Sequence, residues 1–132
     1  MTGERIPEIS VMVPLYNEEG NIVPLLDRIE AVLSAFGRSY EVVLVDDGST
    51  DGTVALVKEA VARRPHLRAV FFRRNSGQTA ALAAAIDYSQ GDILIPLDGD
   101  LQNDPADIPV LLDKLAEGYD VVSGWRKNRK DA

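Results

Sequence analysis

Asp92-Ile93-Leu94-Ile95-Pro96-Leu97-Asp98-Gly99-Asp100-Leu101-Gln102-Asn103-Asp104-Pro105 is the stretch whose reading decides the fold. An apolar run ends abruptly in a cluster of carboxylates and amides. The run reads as a strand buried on both faces, as in a parallel sheet. The polar cluster then falls on the loop at its carboxyl end, where open α/β sheets bind their ligands. Asp98 and Asp100 flank Gly99, which has no side chain to block a ligand. Two carboxylates so close repel each other unless a cation sits between them or one takes a proton. The competing reading is a polar turn in which Asp104-Pro105 simply opens the next helix, and the other segments weigh against it.

Outward from that stretch the same pattern repeats. Residues 9–13 form a first strand that stops at Pro14, and Pro14-Leu15-Tyr16-Asn17-Glu18-Glu19-Gly20 is its loop. Asn21 can cap a helix whose one face carries Ile22, Leu25, Leu26, Ile29, Leu33 and Phe36. Pro24 is tolerated in its first turn and Gly37 ends it. Residues 40–45 form a second strand, running into Asp46-Asp47-Gly48-Ser49-Thr50-Asp51-Gly52. A helix over 53–64 turns Val54, Val57 and Val61 inward and closes at Pro65. Residues 67–72 are a third strand, Arg73 to Gly77 its loop, and 78–89 an alanine-rich helix against which neighbours can pack closely. After the fourth strand, at 93–97, come a helix over 106–117 and a fifth strand over 119–123. The expected fold is α/β, in three layers, with a mostly parallel sheet and helices on both faces. Residues 1–132 read as a single domain. The chain stops directly after a strand, on a basic run, as expected of a piece cut from a longer protein.

Composition narrows the function. The chain has 132 residues, 45% of them hydrophobic and 27% charged, ordinary for a globular domain. The formal charge of −7 argues against non-specific nucleic-acid binding. The absence of cysteine excludes disulfides and thiolate metal sites, and one histidine cannot make a multi-histidine zinc site. No apolar signal core follows the start, and no stretch approaches the ~20 apolar residues of a membrane span.

A parallel sheet puts every strand-to-helix loop on one edge, so the four polar loops converge. In the second loop, Asp51 and Ser49 suit the helix N-cap, whereas Asp46 and Asp47 sit too early for capping. A carboxylate there can accept hydrogen bonds from a ribose hydroxyl or a base. Tyr16 is either a packing aromatic or, beside Glu18, a ring that stacks on a base. Asp98, Asp100 and Gln102 offer hard oxygen ligands that suit Mg²⁺ or Mn²⁺. No glycine-rich phosphate loop of the Walker type is present. Arg73, Arg74, Arg126, Lys127, Arg129 and Lys130 are either solvated charge or phosphate-recognising cations. His66 reads as a surface residue, and Trp125 as either core or a wall of the site.

Val13-Pro14-Leu15-Tyr16-Asn17-Glu18, Val45 to Thr53, Arg74-Asn75-Ser76-Gly77-Gln78 and Asp98 to Pro105 together resemble family two glycosyltransferases with the GT-A fold. The resemblance covers nearly the whole chain, in order. With Gly124-Trp125-Arg126-Lys127-Asn128-Arg129 it is closest to the polyprenyl-phosphate glycosyltransferases, which include dolichyl-phosphate mannose synthases. It implies that Pro14, Tyr16, Glu18, Val45 and Asp47 hold the nucleotide of a UDP- or GDP-sugar. Asp98, Gly99 and Asp100 would face the diphosphate and sugar, with Asp98 and Asp100 the catalytic pair. Asp100 and Gln102 would bind the metal, and Arg126 would contact phosphate. The acceptor would be an undecaprenyl or dolichyl phosphate, already anionic, so that no strong general base is needed. The resemblance also implies a full-length protein at the cytoplasmic face of the membrane, held there by segments beyond this soluble piece, and leaves homo-oligomerisation open. Two alternatives stand beside it. One is a family relative that transfers to a saccharide in surface-polysaccharide synthesis. The other is a signalling receiver domain, but its acidic pair follows the first strand and its lysine the fifth. Here the pair follows the second strand and Ser123-Gly124-Trp125 the fifth.

Overall fold

The computed structural model describes residues 6–97. It places β1 (Ile9–Leu15), α1 (Ile22–Phe36), β2 (Tyr40–Asp46), α2 (Thr53–Arg63), β3 (Leu67–Phe71), α3 (Gln78–Tyr88) and β4 (Ile93–Pro96) in that order. The four strands make one sheet in the order β3-β2-β1-β4, with every described pairing parallel. The helix at 106–117 and the strand at 119–123 lie outside the described residues, as does the acidic cluster from Asp98 onward.

Period-two alternation along the strands divides the core between the two faces. Ile9, Val11, Val13 and Leu15 of β1 join Val42 and Leu44 of β2 beneath α1 and α2. Met12, Val43 and Val45 face the other way, beneath Ala81 and Ala85 of α3. The expected three layers are therefore present. The apolar stripe of α1 is the expected one: Ile22, Leu25, Leu26, Ile29 and Leu33 are all buried, and Phe36 packs against them from a half-buried position. In α2 the buried face is Thr53, Val57 and Ala60, while Val54 is only half-buried.

Two local expectations need correction. The first strand does not stop at Pro14 but runs to Leu15, with Pro14 opposite Val45. The reason lies in the ladder. The Leu15 carbonyl accepts from Asp47 N–H on the β2 side (2.8 Å), and the Met12 carbonyl accepts from Leu97 N–H on the β4 side (2.9 Å). Alternation aims the Pro14 nitrogen toward β4, past the end of that strand's pairing, so its missing donor removes nothing from the β1–β2 ladder. The second correction concerns caps. Asn21 holds the N-cap of α1 but makes no side-chain cap bond; its amide donates to Glu18 Oε1 instead (2.9 Å).

The chain moves from β1 outward to β2 and β3, then crosses back to β4 on the far side of β1. The sheet order thus reverses between β1 and β4. In open α/β sheets the ligand crevice lies outside the carboxyl ends of the strands at that reversal. Among the described residues those ends are Leu15-Tyr16 and Pro96-Leu97.

Candidate functional site

Three loops leave the carboxyl edge of the sheet, and hydrogen bonds between them lock them together. Asn17 is the key to the first joint. It sits in the left-handed region, at φ 53°, where asparagine is among the few tolerated residues other than glycine. Its N–H donates to Ser49 Oγ (2.9 Å), and its Oδ1 accepts from Thr50 N–H (2.8 Å). Glu18 N–H donates to Thr53 Oγ1 (2.9 Å), and Glu19 Oε1 accepts from Gly52 N–H (2.7 Å). Asp51 does not hold the N-cap of α2, which is Gly52 without a side-chain cap bond; one residue earlier, its carboxylate accepts from the N–H of Thr53 (2.9 Å) and its hydroxyl (2.6 Å). Those contacts, led by the Thr53 hydroxyl, hold its carboxyl below the usual range against the opposing effect of burial. Ser49 does not cap α2; it bridges to the first loop.

The second joint ties the second loop to the third. Asp47 Oδ1 accepts from Ser76 N–H (2.6 Å), and its Oδ2 accepts from Gly77 N–H (3.0 Å) and Asn75 Nδ2 (3.0 Å). Asn75 Nδ2 also reaches the Asp47 carbonyl (3.2 Å). Gly48, at φ 75°, lies against the same loop: a Cβ there would sit 2.4 Å from Arg74 C and Asn75 N. Only glycine allows that backbone-to-backbone approach.

The residues expected to hold a nucleotide fall into two groups. Pro14, Tyr16, Glu18, Val45 and Asp47 are all brought to this edge. Tyr16 is 44% exposed, so it is a free ring and not a core aromatic. The Val45 side chain is fully buried under α3. Asp47 is 5% exposed, with both carboxylate oxygens already accepting bonds. Asp98, Gly99, Asp100, Gln102 and Arg126 lie outside the described residues. Asp46, which the sequence left beside Asp47 as an equal, behaves differently. Its Oδ2 accepts from Ser49 N–H (3.0 Å), while its buried Oδ1 has no partner among the described residues.

Asn17, Gly48 and Asn75 are the residues that sequence reading missed. Each stands in a motif segment, but no local rule says that its partner lies 26 to 33 positions away. The one available signal was asparagine before an acidic pair in a loop, a left-handed position in waiting.

A metal ion is tested against the donors present. Among the described residues no three acidic or histidine side chains come together. The expected ligands Asp98, Asp100 and Gln102 lie outside the described residues. A cleft of ≈ 580 Å³ lies at the opposite edge, lined by Arg38, Tyr40, Glu41, His66, Arg68 and Gln90 among others. It stands at the amino ends of the strands, away from the reversal point.

The family model described as "Glycosyl transferase family 2" matches residues 10–132. The chain belongs to this family. Among family relatives, the dodecaprenyl-phosphate galacturonate synthase of Rhizobium johnstonii is 46% identical over 126 residues, covering 94% of this chain and 37% of its own. The undecaprenyl-phosphate 4-deoxy-4-formamido-L-arabinose transferase of Klebsiella pneumoniae is 43% identical over 133 residues, covering 100% of this chain and 41% of its own. The chain thus spans well under half the length of these relatives. Among solved structures, the mannosyltransferase PcManGT from Pyrobaculum calidifontis, in complex with GDP-Man and Mn²⁺, superposes with a TM-score of 0.71 at 29% identity. It covers 89% of this chain and 34% of the mannosyltransferase. The GT-A fold expected from the family motifs agrees with that superposition. No described helix is long and apolar enough to cross a membrane.

Proposed function

We propose that this chain is the donor-binding part of a glycosyltransferase that moves a sugar from a nucleoside-diphosphate donor to a polyprenyl phosphate. The observation that carries the reading is the 46% and 43% identity, over nearly the whole chain, to two enzymes named for polyprenyl-phosphate acceptors. The two relatives handle different sugars at similar identity, so the acceptor class is proposed and the donor sugar is not. In the proposed reaction an anionic oxygen of the lipid phosphate attacks the anomeric carbon. The bond from that carbon to the diphosphate oxygen breaks, and the nucleoside diphosphate leaves with the electron pair.

In this reading Tyr16 packs against the base, and Glu18 and Asp47 line the nucleoside end. Asp98, Asp100 and Gln102 form the diphosphate and metal end, and Arg126 contacts phosphate. A bound Mg²⁺ or Mn²⁺ would supply positive charge to the departing diphosphate. The solved relative that holds GDP-Man with Mn²⁺ supports that choice. The assembled protein would work at a membrane surface, where its lipid acceptor resides.

The test uses the full-length protein. Sugar transfer to undecaprenyl phosphate is compared with transfer to oligosaccharide acceptors, and binding of UDP and GDP is titrated calorimetrically with and without Mn²⁺. Transfer to the lipid and metal-dependent nucleotide binding are expected, with Asp100→Ala weakening the latter. Transfer only to the saccharide would move the protein to the alternative branch of the family. No metal-dependent nucleotide binding would remove the donor-site assignment.

A further inference from the structure

Tyr16 is the aromatic ring that the first loop offers to a base, and its own side chain is not what holds it. The ring is 44% exposed, and its hydroxyl makes no hydrogen bond among the described residues. The backbone on either side is held instead. The Leu15 carbonyl shares a peptide plane with Tyr16 N–H, and it accepts from Asp47 N–H (2.8 Å). The next plane joins the Tyr16 carbonyl to Asn17 N–H, which donates to Ser49 Oγ (2.9 Å). Each peptide unit is planar, so these two bonds pin both planes that meet at the Tyr16 Cα. The backbone angles of Tyr16, and with them the direction of its Cβ, are thereby set against the second loop.

We infer that Asn17 is a positioning residue that aims the Tyr16 ring at the base of the donor. The inference rests on the donor-site reading above and adds to it the residue that sets the ring. Asn17 secures its side of the pin in two ways. Its Oδ1 accepts from Thr50 N–H (2.8 Å), so one residue grips two adjacent positions of the second loop, Ser49 and Thr50. Its backbone stands at φ 53°, which asparagine tolerates and alanine resists. Beyond it, Glu18 N–H and Glu19 Oε1 reach the same loop at Thr53 and Gly52. Alanine at position 17 would lose the amide grip and favour another φ, loosening one of the two planes that fix the ring. A loose ring spends binding energy on being ordered.

The full-length protein is titrated with UDP and with GDP in the presence of Mn²⁺. Asn17→Ala should weaken both about fivefold, the cost of ordering one freed side chain. Asn17→Gly adopts the left-handed φ without strain and should recover part of that loss. A double-mutant cycle with Tyr16→Ala then shows whether Asn17 acts through the ring. The combined variant should bind no more weakly than Tyr16→Ala alone. Ser49→Ala removes the acceptor of the Asn17 N–H, and it runs the same cycle if Asn17→Ala fails to fold.

Additive losses in the cycle would overturn the inference, because Asn17 would then touch the donor itself or support the whole edge. So would Asn17→Gly binding no better than Asn17→Ala, or wild-type affinity in Asn17→Ala. Two outcomes fall on the donor-site reading first and remove this inference with it. One is a wild-type protein that binds neither nucleotide, and the other is Tyr16→Ala binding both as tightly as wild type.

Discussion

Replacing Gly48 by alanine puts a methyl group into the joint between the second and third loops. Two costs follow. The residue sits at φ 75°, where a Cβ costs about 1–2 kcal/mol. The new atom would also lie 2.4 Å from Arg74 C and Asn75 N and 2.8 Å from Arg74 Cα. Carbon contacts settle near ~3.5–4.0 Å, so the gap must open by about 1 Å. All three neighbours are backbone, so no side chain can swing away. That opening stretches the Asp47 bonds to Ser76 and Gly77, now 2.6 and 3.0 Å, to the limit of hydrogen bonding or beyond. Bonds to a charged group contribute about 1.5–3 kcal/mol each. The sum for Gly48→Ala is about 4–8 kcal/mol. Gly37→Ala isolates the first cost, because Gly37 sits at φ 85° with nothing within 4 Å; it should lose about 1 kcal/mol. Gly20 has neither feature, and Gly20→Ala should stay within about 0.5 kcal/mol of wild type. Urea unfolding of the three variants and the parent measures the series. If Gly48→Ala loses no more than Gly37→Ala, the two loops are not packed as described.

Glu41→Ala should cost about 3 kcal/mol, because it strips the acceptor from the Ser10 hydroxyl (2.6 Å) and Gln90 N–H (2.7 Å) in a 5% exposed position. Arg68→Ala should cost less, about 1 kcal/mol, since its contact to Glu41 (3.2 Å) is 39% exposed on the arginine side; denaturant midpoints in the reverse order would contradict this account. Asp51 has its carboxyl held below the ordinary 3.8, chiefly by the Thr53 hydroxyl. A depressed folded value means its stabilisation is complete above 3.8 and lost as pH falls through the lower value. Stability-versus-pH curves of wild type and Asp51→Ala should therefore converge in acid, and a gap that widens there would refute the assignment. Tyr16→Ala should leave the melting temperature nearly unchanged, because the ring is 44% exposed, and should weaken nucleotide binding about tenfold. An unchanged affinity would take Tyr16 out of the site.

The parts of the fold legible in the sequence are those set by short-range pattern. The stripe from Ile22 to Leu33 reads directly as a buried helix face, and Gly37 ends α1 in the left-handed conformation expected of it. The apolar strands and their parallel order follow from the alternation with helices. What could not be read is anything that depends on which edge a group faces. Pro14 looked like a strand stop because its missing donor was counted without knowing that it points away from β2. Val54 looked buried by spacing, yet Ala60 takes the place beside Val57. Ser49 carries a capping residue's chemistry, and any cap rule would assign it to α2. Its hydroxyl is instead taken by Asn17, 32 positions earlier. The carboxyl edge itself was legible because four polar loops cannot all be incidental. The division of labour within it was not, because the partners are long-range.

That division bears on how the site can work. Most polar side chains of the first three loops are engaged with one another: Asn17 with Thr50, Glu19 with Gly52, Asp51 with Thr53, and Asp47 with Asn75 to Gly77. They form the frame, and they are fixed before any donor arrives. Ordering a loose side chain at binding costs about 0.5–1.5 kcal/mol, so a frame already closed by its own bonds spares the donor that loss. The same closure has a consequence for charge. Asp46 and Asp47 are buried and held by the frame, so they bring no positive charge to a diphosphate that enters the edge. Complementary charge must then come from groups that are not part of the frame. In the proposed site those are the cation at Asp100 and Gln102 and Arg126. In the proposed site the frame would set where the donor lies, and the few groups left outside it would set whether the donor's charge is accepted.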